Sequence, residues 1–180
     1  MTWEIDSTHS HVSFAIQVMS VSTTRGRFNA FRGRLHIDEQ KLANSWVDAQ
    51  IEAASINTHN KLRDAHLRSA AFFDVKKYPT ITFTSTHVEH VGAQNYQVTG
   101  NLTLHGVTRP ITFDVVYHGQ HSLMDTRADL TAKATINRRD FGLGQGAMVR
   151  FAASSMVTIE IGLEAVQQSV EVQEAVATCQ

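Results

Sequence analysis

Residues 61–73, KLRDAHLRSAAFF, bring an acid, an imidazole and two guanidinium groups close together: Arg63, Asp64, His66 and Arg68. Such a set can do acid–base chemistry, with a carboxylate orienting a histidine base, or it can ligate a metal. Helical spacing decides against the dyad. Asp64 and His66 stand at i and i+2, about 200° apart, so Asp64 faces away from His66. Asp64 and Arg68 stand at i and i+4 and predict an ion pair on the outer face, worth about 0.3–0.5 kcal/mol. His66 keeps two roles. It is either a half-buried histidine holding the helix down, which its apolar neighbours favour, or a hydrogen-bonding contact for a ligand headgroup. Arg63 can reach a strand, or a phosphate if the ligand carries one.

The chain has ten histidines, so metal binding is the second chemistry to weigh. His9 and His11 have the i,i+2 spacing of one strand face, and His87/His90 and His118/His121 have i,i+3. None belongs to a His-Glu-x-x-His arrangement, and no neighbouring acidic cluster in the sequence completes a site. Adventitious nickel or zinc affinity is the expectation, with no specific metal and no cofactor. Asp-Phe-Gly at 140–142 matches a kinase metal-binding motif, but the Gly-rich loop, strand lysine and catalytic loop are missing. Asn-Leu-Thr at Asn101 fits a glycosylation acceptor and carries no meaning without export. No Gly-x-Ser-x-Gly elbow supports a Ser-His-Asp triad.

The 180 residues suit one domain, and 42% hydrophobic with 18% charged residues suits a soluble core. A net charge of −1 gives no field that would favour nucleic acid or an anionic membrane. The lone cysteine, Cys179, excludes an internal disulfide and a Cys-based zinc site. No apolar stretch approaches the roughly 20 residues of a membrane span. The N-terminal MTWEIDSTHS lacks a basic region followed by an apolar run, so a cytoplasmic location is expected.

The elements that must position these residues are strands. Alternation of period two puts Val12, Phe14, Ile16 and Val18 on one face, then Val47, Ala49 and Ile51, then Ile81 and Phe83. It continues through Tyr96, Val98, Leu102 and Leu104, then Ile111, Phe113, Val115 and Tyr117. The last two sets are Ala128, Leu130, Ala132, Ala134 and Ile136, then Val157, Ile159, Ile161 and Leu163. Half-apolar runs of this kind are antiparallel strands with one wet face. Between Phe28 and Phe31 the apolar phase flips, which predicts a β-bulge near Asn29–Ala30. Residues 90–95 and 104–110 read as hairpin turns. With the segment after Trp3 the count is about eight strands, which must close as a sandwich or a barrel. One helix, over about 60–71, breaks the pattern, with Leu62, Ala65, His66, Ser69, Ala70 and Phe73 sharing its inner side. The domain is expected to span 1–164, followed by a helical or mobile tail over 165–180.

Five blocks in order carry a resemblance: WEIDSTHSHVSFAI, TTRGRFNAFRGRL, ASINTHNKLRDAHLRSAAFFDVKKYPTITFTST, VTGNLTLHGVTRPITFDV and INRRDFG. The chain resembles the YceI-like family of polyisoprenoid-binding proteins from Trp3 to about Leu163. That resemblance implies an all-β fold: an extended, eight-stranded, antiparallel, lipocalin-like barrel enclosing a long isoprenoid. The guest would be a prenyl quinone, a polyprenyl phosphate or a similar lipid, carried or stored without catalysis. Gln17, Val18 and Met19 stand where many members have a basic residue and histidine.

The residue pattern adds which side chains would line such an interior. They are Phe14, Ile16, Val18, Phe28, Val47, Ala49, Ile51, Leu62, His66, Phe73, Phe83, Val98, Leu102, Phe113, Val115, Leu130, Ala132, Ala134 and Ile159. Arg63 and His66 would be the headgroup contacts. Small residues on the inner faces (Ala49, Gly100, Ala128, Ala132 and Ala134) are expected to leave room. Two other readings are a hydrolase or isomerase of a hydrophobic substrate, and an interaction module with a filled barrel. The expected partner is an apolar small molecule, with no nucleic acid and no stable membrane insertion. Barrel-edge strands and the tail offer surfaces for a homodimer.

Overall fold

A computed structural model describes residues 2–122 and 125–168. It is a closed antiparallel barrel in which eight passes of the chain form the ring. The first three passes are each broken in two: β1 (Thr2–Ile5) and β2 (His11–Val18), β3 (Ser22–Phe28) and β4 (Phe31–His36), then β5 (Trp46–Glu52) and β6 (Ile56–Asn57). The other five are continuous: β7 (Thr80–Gly92), β8 (Asn95–Leu104), β9 (Val107–Ser122), β10 (Thr126–Asn137) and β11 (Ala153–Gln167). Neighbours run β1-β4-β5-β7-β8-β9-β10-β11, and β11 closes the ring by pairing with β1 through residues 165–167 and with β2 through residues 153–162. No helix among the described residues is long and apolar enough to cross a membrane.

The phase flip after Phe28 is not a bulge. β3 ends at Phe28 and pairs with β2 and β6, whereas β4 starts at Phe31 and pairs with β1 and β5. The adjoining passes break beside it, at residues 6–10 and at the 3-10 turn Ala53–Ser55. The Asn29 amide donates to the Ser55 carbonyl and the Glu52 amide to the Ala30 carbonyl. Backbone groups lost to the ladder are thus repaired across the break, and the sheet turns a corner there.

The two hairpin turns fall where expected. His105 and Gly106 have φ of 53° and 72°, the left-handed pair that suits the twist of a two-residue hairpin. A Cβ on Gly106 would lie 2.5 Å from the Tyr78 ring, so glycine is needed there for contact as well as conformation. The helix α1 is Lys61–Arg68, shorter than the expected 60–71. Asn60 caps its start by accepting from the Arg63 amide, and Ser69 ends it in an extended conformation. The final strand passes the expected boundary at 164, so Ala165, Val166 and Gln167 belong to the barrel. Of the expected tail, residues 169–180 lie outside the described residues.

Two buried clusters pin the barrel at its two ends. One holds fully buried Trp3 with Ile5, Leu35, Ala128 and Ala165. The other gathers Phe28, Ile56, Ile81, Leu104, Ile136, Phe141 and Leu143. Over the second lies the segment from the 3-10 turn Arg138–Phe141 to α2 (Ala147–Ala152). Arg138, 1% exposed, holds that segment from within. Its Nε donates to Ser154 O at 2.9 Å, Nη1 to Leu143 O and Gly144 O at 2.8 and 3.0 Å, and Nη2 to Val149 O and Ala153 O at 3.3 and 3.1 Å. A buried cation is tolerable here because backbone dipoles surround it.

At the seam between β1 and β11, Arg127 Nη1 bridges Asp6 at 3.0 Å and Glu164. Asp6 also accepts from the Thr8 hydroxyl at 2.6 Å and the Thr8 amide at 3.0 Å, and its other oxygen lies 2.9 Å from His9 Nδ1. Hydrogen bonds from Thr8, then His9, hold the Asp6 carboxyl far below the usual carboxylate range.

Two outcomes follow. Arg138→Met orphans several buried carbonyls and should cost at least about 3 kcal/mol, read as a lower urea midpoint with an unchanged slope. Asp6 has a depressed folded pKa, so its contribution is complete above 3.8, its ordinary value, and is lost as pH falls toward the folded pKa. Urea unfolding of the wild type should weaken below about pH 4, and Asp6→Asn should flatten that slope while lowering stability at neutral pH.

Candidate functional site

The barrel interior is hollow. A cavity of about 770 Å³ runs along the axis with walls of mostly aliphatic and aromatic side chains. β11, with 15 residues, would be about 50 Å long at 3.3 Å per residue, and strand tilt reduces this to roughly 35–40 Å along the axis. The shape is therefore a long tunnel. Strand alternation supplies its lining: Phe14, Ile16 and Val18 from β2, Phe28 from β3, Val47, Ala49 and Ile51 from β5, and Phe83 from β7. Val98 and Leu102 come from β8, Phe113 and Val115 from β9, Leu130 and Ala132 from β10, and Ile159 from β11. Ala134 faces inward but is sealed beneath Phe113 and Val115 and does not line the cavity.

Only some of the small inner residues leave space. A Cβ on Gly100 would lie 2.5 Å from the Phe83 ring, so that glycine accommodates Phe83. Ala128 is fully buried against the Trp3 cluster. Ala49 and Ala132 are the ones that open the bore.

The helix turns a different face inward from the one expected, although His66 still lines the tunnel. Leu62 is 84% exposed and takes no part in the tunnel wall. Asp64, expected outside, is buried and accepts from the Thr58 amide at 2.9 Å and the Thr58 hydroxyl at 2.5 Å. Arg68 does not pair outward with it. Its Nε donates to Ala54 O and its Nη2 to Ile56 O, each at 2.8 Å. Arg63 donates through Nε to the Thr58 hydroxyl and through Nη2 to Thr58 O. The reason lies in β6. It pairs with β3 alone, so its free edge needs partners, and α1 supplies them from charged side chains. Satisfying that edge outweighed burying one leucine. Burial pushes the Asp64 carboxyl up, but the Thr58 hydrogen bonds and the charges of Arg68 and Arg63 overcome it, so the net shift is downward.

Arg63 and His66 do reach the tunnel, together with Leu67, Phe72 and Phe73. His66 is exposed and its ring meets the edge of Phe72 at 6.1 Å. Asp64 is committed to Thr58, so the acid–base dyad has no geometric basis. Phe73 packs edge-on against Phe28 at 5.9 Å, narrowing this end.

The sequence missed the other end of the tunnel. His36, Leu42, Trp46, His90, Tyr96 and Tyr117 line it. Trp46 stacks on His36 at 6.2 Å and 13°, and His90 lies 5.0 Å from Tyr96. Burial pushes the Tyr117 hydroxyl up. Tyr96 and Tyr117 were visible in the inner-face alternation. Trp46, the first residue of its strand, alternates out of phase with Val47, Ala49 and Ile51, so period two does not mark it as inward.

The histidine pairs do not converge. His11 lies over Gly162, His90 contacts the Ala93 carbonyl, His118 contacts Thr131, and His121 pairs with Asp129. His9 has Asp6 three residues away and gains one distant acid: ligand atoms of Asp6, His9 and Glu164 lie within 4.8 Å of one another. Arg127 already supplies the positive charge between the two carboxylates.

Comparison with known proteins agrees with this architecture. A family model described as a YceI-like domain matches residues 3–165. A UPF0312 protein of Pseudomonas putida strain W619 is 37% identical over 163 residues, covering 89% of this chain and 82% of that one. A UPF0312 protein of Pectobacterium carotovorum is 37% identical over 162 residues, with the same coverage. Among solved structures, Burkholderia cenocepacia BcnA superposes with a TM-score of 0.82 at 25% identity, over 89% of this chain and 98% of that one. The Campylobacter jejuni YCEI protein gives 0.74 at 28%, over 83% and 88%. A polyisoprenoid binding domain from Saccharophagus degradans shares the fold, with a TM-score of 0.71 at 20% identity over 92% and 98%. Matched from Trp3 to Ala165, nearly its whole described length, this chain belongs to the YceI-like family.

Proposed function

We propose that this protein binds a long isoprenoid, or a similar apolar lipid, in its tunnel and carries or stores it without chemical change. The observation that carries the reading is the hollow apolar tunnel of about 770 Å³. A barrel meant only as a scaffold would fill that space with side chains. Each CH₂-sized group removed from water contributes about 0.8 kcal/mol, so a five-carbon isoprene unit contributes roughly 3–4 kcal/mol before ordering costs. A few units then suffice for tight binding without any contribution from a charged group. The fold of a polyisoprenoid binding domain is compatible with such a guest. For the polar head we propose the α1 end, where His66 and Arg63 line the tunnel.

Native mass spectrometry of the purified protein is expected to reveal a co-purified lipid, and delipidated protein should take up a prenyl quinone or prenyl phosphate. Failure of both would overturn the reading. Ala132→Trp fills the bore, so uptake should fall by more than about a hundredfold for each isoprene unit excluded, while circular dichroism keeps its β signature. His66→Ala should weaken a prenyl phosphate by about tenfold and leave an uncharged prenyl alcohol nearly unaffected.

A further inference from the structure

The net charge of −1 conceals an uneven distribution along the barrel axis. One end is built from the β2–β3 turn, α1, the β8–β9 turn and the 138–152 segment. It exposes Arg25, Lys61, Lys76, Lys77, Arg109 and Arg139, against Glu52 and Asp140. The opposite end carries Glu4, Asp6, Asp38, Glu39, Asp48, Glu89, Asp129 and Glu164 beside Arg34, Lys41 and Arg127. The protein is therefore electrically polar along its tunnel.

The basic end also carries exposed apolar side chains. Met19 is 62% exposed, Val21 89% and Met148 86%, and Leu62 stands out from α1. Scattered single hydrophobics mean little, but a group at one end of an apolar tunnel is informative. They sit on parts tied to one another. The Met19 amide donates to the Ala152 carbonyl at 2.7 Å, docking the β2–β3 turn on the end of α2. Phe72, following α1, packs beside Gly144 and so next to Val149 and Arg138. Between these parts Val18, Thr24, His66 and Val149 line the tunnel and carry it to the surface. The turn is also strained for its residues: Met19 and Ser20 have φ of 55° and 59°, where Asn-Gly would be cheaper. A methionine held outward at that cost is in keeping with a use for its side chain.

We propose that this end docks reversibly on an anionic lipid bilayer. Met19, Val21, Leu62 and Met148 enter the headgroup region, and the surrounding lysines and arginines meet the anionic heads. Self-association through this face is disfavoured, because two copies would bring like charges together. The surface alone carries the inference, which goes beyond the carrier reading: vesicle binding tests it whether or not the tunnel holds a chain.

The experiment is sedimentation of the full chain with sucrose-loaded phosphatidylcholine vesicles, with and without phosphatidylglycerol. Binding is expected only with phosphatidylglycerol and should weaken as salt rises. Met19→Ser with Met148→Ser should abolish most of it, and Lys61→Glu with Lys77→Glu should lower it by about fivefold or more per charge. All four positions are exposed, and unchanged thermal melting would verify the fold. Val91→Ser, at the acidic end, should leave binding intact. Absence of binding to anionic vesicles, equal binding to neutral ones, or loss with Val91→Ser alone would overturn the proposal. So would a dimer that dissociates in the Met19→Ser, Met148→Ser variant without any vesicle binding.

Discussion

The structure depends on one strand being shared by two partners. β11 pairs along one edge with β10, and along the other first with β2 and then with β1. A single unbroken first strand would have to follow β11 through the corner of the sheet. Splitting it at residues 6–10 lets each half keep its own register, and the neighbouring passes split beside it. Closure joins the two sides of the ring, and beside the short free edge at β6 α1 covers the gap with side chains. The Trp3 cluster and the Asp6–Arg127–Glu164 clasp sit on this same seam. Packing and charge therefore reinforce the place where the ring is joined.

How much of this the sequence could tell depended on which physical term decided each residue. Strand faces were legible, because burial of one face dictates a period of two. Phe14, Ile16, Val98, Phe113, Leu130 and Ile159 stand on the tunnel wall for that reason. The helix was not legible from the same rule. It has eight residues and little apolar surface, so its orientation was set by hydrogen bonds to the preceding residues 54–58, whose need for partners no apolar period marks. Leu62 and Asp64 exchanged places on that account. Gly100 misled in another way, since an absent side chain signals either a void or a neighbour that fills it, and Phe83 filled it. The arrival of Glu164 beside Asp6 and His9 needed contacts across more than 150 positions, which no local spacing reveals.

Net charge was similarly uninformative. Acids and bases alternate along the chain, yet folding sorts them by barrel end, because strand turns at one end are rich in lysine and arginine. The quantity that matters to a surface is the field at that end, and a sum over the sequence removes it.

The hollow interior has a thermodynamic consequence. Wall atoms facing an empty bore lose the dispersion contacts that an ordinary core would give them, so the unoccupied protein is less stable than its strand pairing suggests. Any guest that binds the folded barrel and not the unfolded chain restores those contacts, and stabilises the fold in proportion to the logarithm of its concentration over its dissociation constant. Empty molecules then visit the unfolded state more often than loaded ones and are the ones proteases meet. The amount of protein that survives is tied in this way to the amount of guest available, with no regulator other than the missing contents of the tunnel.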